Sequence, residues 1–88
     1  MTWFQQSEPL PGCSGECFAG PDGFFFQEDG AGVGQWHIYK LQAGRYYRGA
    51  AIASGVGPQW FETAVRLAPT FMPALDRNIA DGTASHLG

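Results

Sequence analysis

Basic residues are few in this chain: five Lys and Arg stand against eight Asp and Glu, for a formal charge of −3. Nonspecific nucleic-acid affinity rests on clustered cations that neutralise phosphates, so this balance argues against general DNA or RNA binding. Cysteine and histidine number two each, which leaves thiol or metal chemistry a single set of residues to draw on. No stretch approaches the ~20 apolar residues of a membrane span. The opening Met1-Thr2-Trp3-Phe4-Gln5-Gln6-Ser7-Glu8 has neither a basic n-region nor an apolar run, so no secretory signal is predicted and the expected location is cytoplasmic. The low net charge and a hydrophobic content of 44%, with 15% aromatic, exclude global disorder and supply core material for one small domain.

The chain divides by texture. Residues 1–22 carry a strand candidate around Trp3-Phe4-Gln5 and then Pro9, Pro11, Gly12, Gly15, Gly20 and Pro21, and are read as an irregular segment. Phe24-Phe25-Phe26-Gln27-Glu28, Gln35 to Leu41 and Arg45 to Ala53 are rich in β-formers and separated by glycine-bearing connections, which predicts an antiparallel β-meander over 23–53. Gly55-Val56-Gly57-Pro58 opens a helix, and Trp60, Phe61, Ala64, Val65, Leu67 and Ala68 recur at helical spacing. Pro69 predicts a break or kink; Thr70 then caps a second helix that ends near Asp81-Gly82, and residues 83–88 read as a frayed tail. The expected fold is α+β, a meander of three to four strands followed by one or two C-terminal helices packed on one face. The small Gly49, Ala50, Ala51 and Ala53 offer seats for Trp60, Phe61 and Val65. If Phe24, Phe26, Trp36 and Ile38 face the helix, then Phe25, His37 and Tyr39 point the other way and need a partner or a lid.

Charge is segregated along the chain. Residues 1–34 hold Glu8, Glu16, Asp22, Glu28 and Asp29 with no Lys or Arg; residues 35–66 hold Lys40, Arg45, Arg48 and Arg66 against Glu62 alone. The basic stretch interleaves Trp36, His37, Tyr39, Tyr46 and Tyr47 with its cations, a mixture found at protein interfaces.

Catalytic and metal motifs fail on context. Cys13, Cys17, His37 and His86 would make one Cys2His2 set, but the histidines are not at zinc-finger spacing, and the Gly/Pro loop around the cysteines is not a redox-helix context. Free, bridged and metal-bound states of Cys13 and Cys17 stay open. Gly30-Ala31-Gly32-Val33-Gly34 leads into a strand and not a helix, unlike a dinucleotide-binding turn, and Gly55-Val56-Gly57 is better explained by turn geometry than by an anion. Neither the serines nor the Glu28-Asp29 pair sits in a nucleophile or acid/base context.

The expected function is therefore a non-enzymatic protein-binding module without a cofactor, directed at a larger protein or complex. Its predicted interface is Glu28, Asp29, Trp36, His37, Tyr39, Arg45, Tyr46 and Arg48. In general style, compact and acidic with an aromatic sheet and a terminal helix, the chain resembles small proteins of phages and mobile elements, including inhibitors of bacterial defence complexes; no motif is shared. That resemblance implies an inhibitor that blocks a basic or nucleic-acid-binding surface. One alternative is a single-strand nucleic-acid binder using Tyr39, Tyr46, Tyr47, Lys40, Arg45 and Arg48. Another is a small metal or redox protein centred on Cys13 and Cys17. A homodimer burying Phe25 and Tyr39 also fits the exposed sheet face.

Overall fold

Aromatic runs punctuated by turn residues set the long strands, and pairing extends the sheet beyond them. The computed structural model describes residues 2–32, 34–53 and 58–87, with the side chains of 53 and 58–61 outside that description. Its elements in chain order are β1 (Phe4–Gln5), β2 (Cys17–Ala19), β3 (Phe24–Glu28), β4 (Gln35–Gln42), β5 (Arg45–Ala53), α1 (Pro58–Ala80) and β6 (Ser85–His86). Among the described residues the six strands form one antiparallel sheet in sequential order. The fold is α+β, with more strands than the three to four predicted. The two-residue β4–β5 connection places both Ala43 and Gly44 at positive φ, the hairpin geometry whose twist matches that of the flanking strands.

Three expectations are corrected. Residues 17–19, read as part of an irregular segment, pair with β3. The C-terminal tail is not frayed: Ser85 and His86 pair with Arg48 and Tyr47 on β5. The helix is not broken at Pro69; a single α1 runs through Pro69 and Pro73. Both prolines are exposed and lie four residues apart on one face, so the Val65 and Pro69 carbonyls that lose their donors turn toward solvent.

The helix packs against β5 and β4. Ala64, Ala68, Met72 and Leu75 join Phe24, Phe26, Trp36, Ile38 and Ile52 in the larger core, with Trp3, Phe18, Tyr47, Phe71 and Ile79 around it. Trp3 stacks on Phe26 with ring centroids 4.3 Å apart. The predicted Gly55-Val56-Gly57 turn and the Trp60 and Phe61 side chains lie outside the described residues. The small stretch of β5 does receive the helix, since a Cβ at Gly49 would meet Ile38 Cγ2 at 2.6 Å and Leu75 Cδ2 at 3.2 Å. Gly49→Ala is accordingly expected to cost about 1 to 2 kcal/mol of stability by overpacking, measured as a lowered urea midpoint with an unchanged slope.

The opposite face of the sheet, predicted to need a partner or a lid, is covered. Leu10, Cys17 and Tyr39 form a second buried core, joined by Cys13, Phe25, Tyr46 and Leu87. Tyr39 and His37 are 3% and 7% exposed. The N-terminal segment is thus the lid, and it buries Tyr39, one of the two residues that the homodimer alternative would have covered.

Candidate functional site

The lid begins with a tight turn in which Pro11 and Gly12 take the central positions. Gly12 has φ of 81° and the Cys13 amide donates to the Leu10 carbonyl at 2.9 Å, the pattern of a Pro-Gly turn. This turn delivers Leu10 and Cys13 to the second core. What anchors the lid is a polar residue within an otherwise aromatic strand. Gln27, with no exposed surface, accepts from the Leu10 amide through Oε1 at 2.9 Å. Its Nε2 donates to the carbonyls of Gly15 at 3.1 Å and Glu28 at 2.7 Å. The lid backbone also lies directly on β3, because a Cβ at Gly15 would meet Glu28 Cβ at 2.5 Å and the Glu28 carbonyl oxygen at 2.7 Å.

Glu28 organises the loop that follows β3. Its Oε2 accepts from the Gly34 amide at 2.8 Å, and its Oε1 receives longer contacts, both 3.4 Å, from the amides of Gly32 and Glu16. Together the β1 segment, the lid and the loop after β3 enclose a groove of about 550 Å³. Gln5 to Pro9 form one wall, Ser14 to Cys17 another and Ala31 with Gly32 the third, while Glu28 and Trp36 line the base. Glu8 and Glu16 are exposed on the walls, and Gln5 Nε2 donates to Glu16 Oε1 at 3.5 Å. No Lys or Arg lines the groove among the described residues.

A second polar cluster runs across the strands, from the loop after β3 through β4 to β5. A bulge between His37 and Tyr39 sets Arg48 opposite Tyr39, from where it reaches the neighbouring imidazole. Arg48 Nη2 donates to His37 Nε2 at 2.8 Å, and His37 Nδ1 lies 2.9 Å from Asp29 Oδ1. A guanidinium can only donate, so the His37 proton sits on Nδ1 and is given to Asp29. Tyr39 shares a side-chain hydrogen bond with Cys13. Burial, and then the Asp29 carboxylate, push the Cys13 thiol up. Burial pushes Cys17 up to about 11. Both thiols are free and protonated at neutral pH, the inert form of a cysteine. Both His37 nitrogens are engaged, and neither cysteine is a thiolate at neutral pH.

The structure distributes the eight predicted interface residues over different surroundings. Asp29, His37 and Arg48 are joined by hydrogen bonds, with Arg48 itself exposed, while Tyr39 is buried in the second core and Tyr46 packs on it. Trp36 belongs to the helix-side core and the groove base. Glu28 is 4% exposed and bonded to loop amides. Arg45 is exposed and donates to His86 Nε2 at 3.4 Å. Lys40 lies over the Phe24 ring and pairs with Asp76 on α1. The groove residues Glu8 and Glu16 were absent from the predicted interface, although the run of acids without a cation in residues 1–34 marked their region. Gln27 was missed as well; its only signal was a lone amide in the aromatic run of β3.

Cys13, Cys17, His37 and His86 do not converge: His86 sits on β6 against Tyr47. Among the described residues no group of three or more His, Cys, Asp or Glu is arranged to hold a metal ion, and no helix is long and apolar enough to cross a membrane. No family model, curated protein or solved structure matches the chain.

Proposed function

We propose that this chain is a small non-enzymatic protein-binding module whose acidic N-terminal third engages a basic surface on a larger protein or complex, acting as an inhibitor that occupies that surface. The groove carries this reading: among the described residues, three glutamates and no cation line a concave site built almost wholly from residues 5–32. Complementary charge of this kind governs encounter and partner choice. The protonated thiols and doubly engaged His37 support a binding role over catalysis.

The single-strand nucleic-acid alternative has less support. Its residues are dispersed, with Tyr39 buried, Lys40 on the helix side paired to Asp76, and Arg48 committed to His37. The metal or redox alternative has two protonated thiols and, among the described residues, no converging ligand set to draw on.

Retention of a protein partner from host lysate with and without nuclease, using wild type and the double variant Glu8→Lys/Glu16→Lys, tests the proposal. A nuclease-resistant partner is expected, with its Kd for the double variant weakened roughly tenfold to a hundredfold and the fold unchanged by circular dichroism. Recovery of nucleic acid alone, or undiminished binding by the charge-reversed variant, overturns the reading.

A further inference from the structure

The His37 imidazole is held between a cation and an anion. Its Nε2 accepts from Arg48 Nη2 at 2.8 Å, and its Nδ1 donates to Asp29 Oδ1 at 2.9 Å, so the ring is neutral with its one proton on Nδ1. The two contacts respond in opposite senses when the ring takes up a second proton. That proton can enter only at Nε2, where it turns the acceptor of the Arg48 bond into a donor. A guanidinium neither accepts a hydrogen bond nor gives up its charge, so this contact becomes donor against donor and cation against cation. The Asp29 contact keeps its hydrogen bond and gains an opposite charge, which strengthens it.

Exposure decides which partner moves. His37 is 7% exposed and lies mid-sheet, paired with Gln27 on β3 and Ala51 on β5. Asp29 is tied down through its own amide, which donates to the Gln35 carbonyl at 2.9 Å. Arg48 is exposed, and its long stem lets the guanidinium exchange the imidazole for water. The other titratable groups facing the ring are Tyr39 on β4, edge-on with ring centroids 6.3 Å apart, and Cys13 of the lid, which is bonded to Tyr39 and feels both Asp29 and Arg48. Burial raises both of these, so both stay neutral as the solution is acidified. Of the five side chains, only the imidazole belongs to the class whose charge ordinarily changes between about pH 5 and 8.

We propose that His37 is an acid-operated latch on Arg48: the neutral imidazole holds the guanidinium against the sheet, and the protonated imidazole expels it to solvent while keeping Asp29. Acidification thereby adds one positive charge to the cluster and delivers another, the guanidinium, to the surface in a form free to pair with an anion. The latch lies outside the acidic groove and does not depend on what the groove binds.

Nitrogen NMR of the isotopically labelled full chain, followed from about pH 8 to about pH 5, tests this. At the upper end His37 is expected to carry its proton on Nδ1 alone, and Arg48 to show two distinct Nη resonances, because a bonded guanidinium does not rotate freely. As His37 gains its second proton the Nη pair should merge with the same midpoint, while the Asp29 amide stays protected from exchange. Arg48→Gln should move the His37 midpoint upward, since a neutral amide can turn and accept from the new donor; Asp29→Asn should move it downward. An Nη pair that persists after His37 is doubly protonated, a neutral tautomer with its proton on Nε2, or a midpoint that Arg48→Gln leaves in place overturns the latch. Loss of the folded circular dichroism spectrum before His37 takes up the proton overturns it as well, because the native sheet would then have no second state to enter.

Discussion

Replacing Gln27 by Ala is expected to remove about 3 to 4 kcal/mol of stability, the sum of a small cavity and of the polar groups it leaves stranded. The Leu10 amide loses its acceptor, and the Gly15 and Glu28 carbonyls lose their donor; the Leu10 and Glu28 bonds are buried and the Gly15 bond partly so. For a domain of this size the total stability is on the order of 5 to 10 kcal/mol, so the variant should be marginal. The damage is also local. Gln27 joins the lid to β3 at two points, and the core on the helix side does not depend on it. Hydrogen exchange is therefore expected to accelerate first in the lid, at the Leu10 and Cys13 amides, while the amides of β3, β4 and β5 stay protected until global unfolding. The variant Gln27→Glu separates the contributions: it keeps the acceptor for Leu10, loses both donations and sets a second carboxylate beside Glu28. It should be at least as damaging at neutral pH. A cost below about 1 kcal/mol for Gln27→Ala with unchanged lid protection would falsify the anchoring role, and would mean that apolar packing of Leu10 and Cys17 holds the lid unaided.

The same residue explains how much of the molecule was legible in the sequence. The three long strands and the helix announce themselves by local composition: Phe24–Glu28 and Arg45–Ala53 are found as predicted, and the β4 strand extends one residue beyond the predicted Leu41. These segments carry enough aromatic and branched side chains to signal a half-buried surface by themselves. β1, β2 and β6 are two or three residues long. A pair such as Ser85-His86 has no pattern of its own and becomes a strand because Tyr47 and Arg48 offer it a ladder. Pro69 misleads for a related reason, since its local penalty is real but falls on the solvent side, and the apolar stripe of Ala68, Met72 and Leu75 continues past it into the core. The candidate site was less legible than the fold. Charge segregation pointed to the acidic third, but only the lid's path over the sheet brings Glu8, Glu16 and Glu28 around one groove. The bulge at Ile38 likewise sets the exposed Arg48 against His37, a contact that no local pattern signals.

Raising the pH is expected to open the lid before the sheet. Two of the three buried members of the second core, Cys17 and Tyr39, are titratable, and a core built this way is apolar only while its thiol and phenol are protonated. Burial, followed by the neighbouring Cys13, pushes Cys17 up to about 11 from an ordinary value of 9.0, against a smaller opposing effect of the Leu10 backbone. Burial also raises Tyr39 and Cys13, with the Asp29 carboxylate adding to each. Between these limits the native state holds a proton that the unfolded chain has released. Stability from Cys17 is thus fully present below about pH 9 and is lost as the pH rises through 11, with a loss on the order of 2 kcal/mol. Tyr39 and Cys13 shift in the same direction and steepen the fall. The helix-side core has no titratable group among its buried members Phe24, Phe26, Trp36, Ile38, Ile52, Ala64, Ala68, Met72 and Leu75. Urea midpoints measured from pH 7 to 11 should therefore decline above pH 9, and Cys17→Ala should flatten the decline while lowering the neutral-pH value. Hydrogen exchange at pH-corrected times should show lid amides opening while β4 remains closed. Simultaneous loss of both would mean that the lid and sheet form one cooperative unit, and that the groove walls are as firmly held as the sheet they rest on.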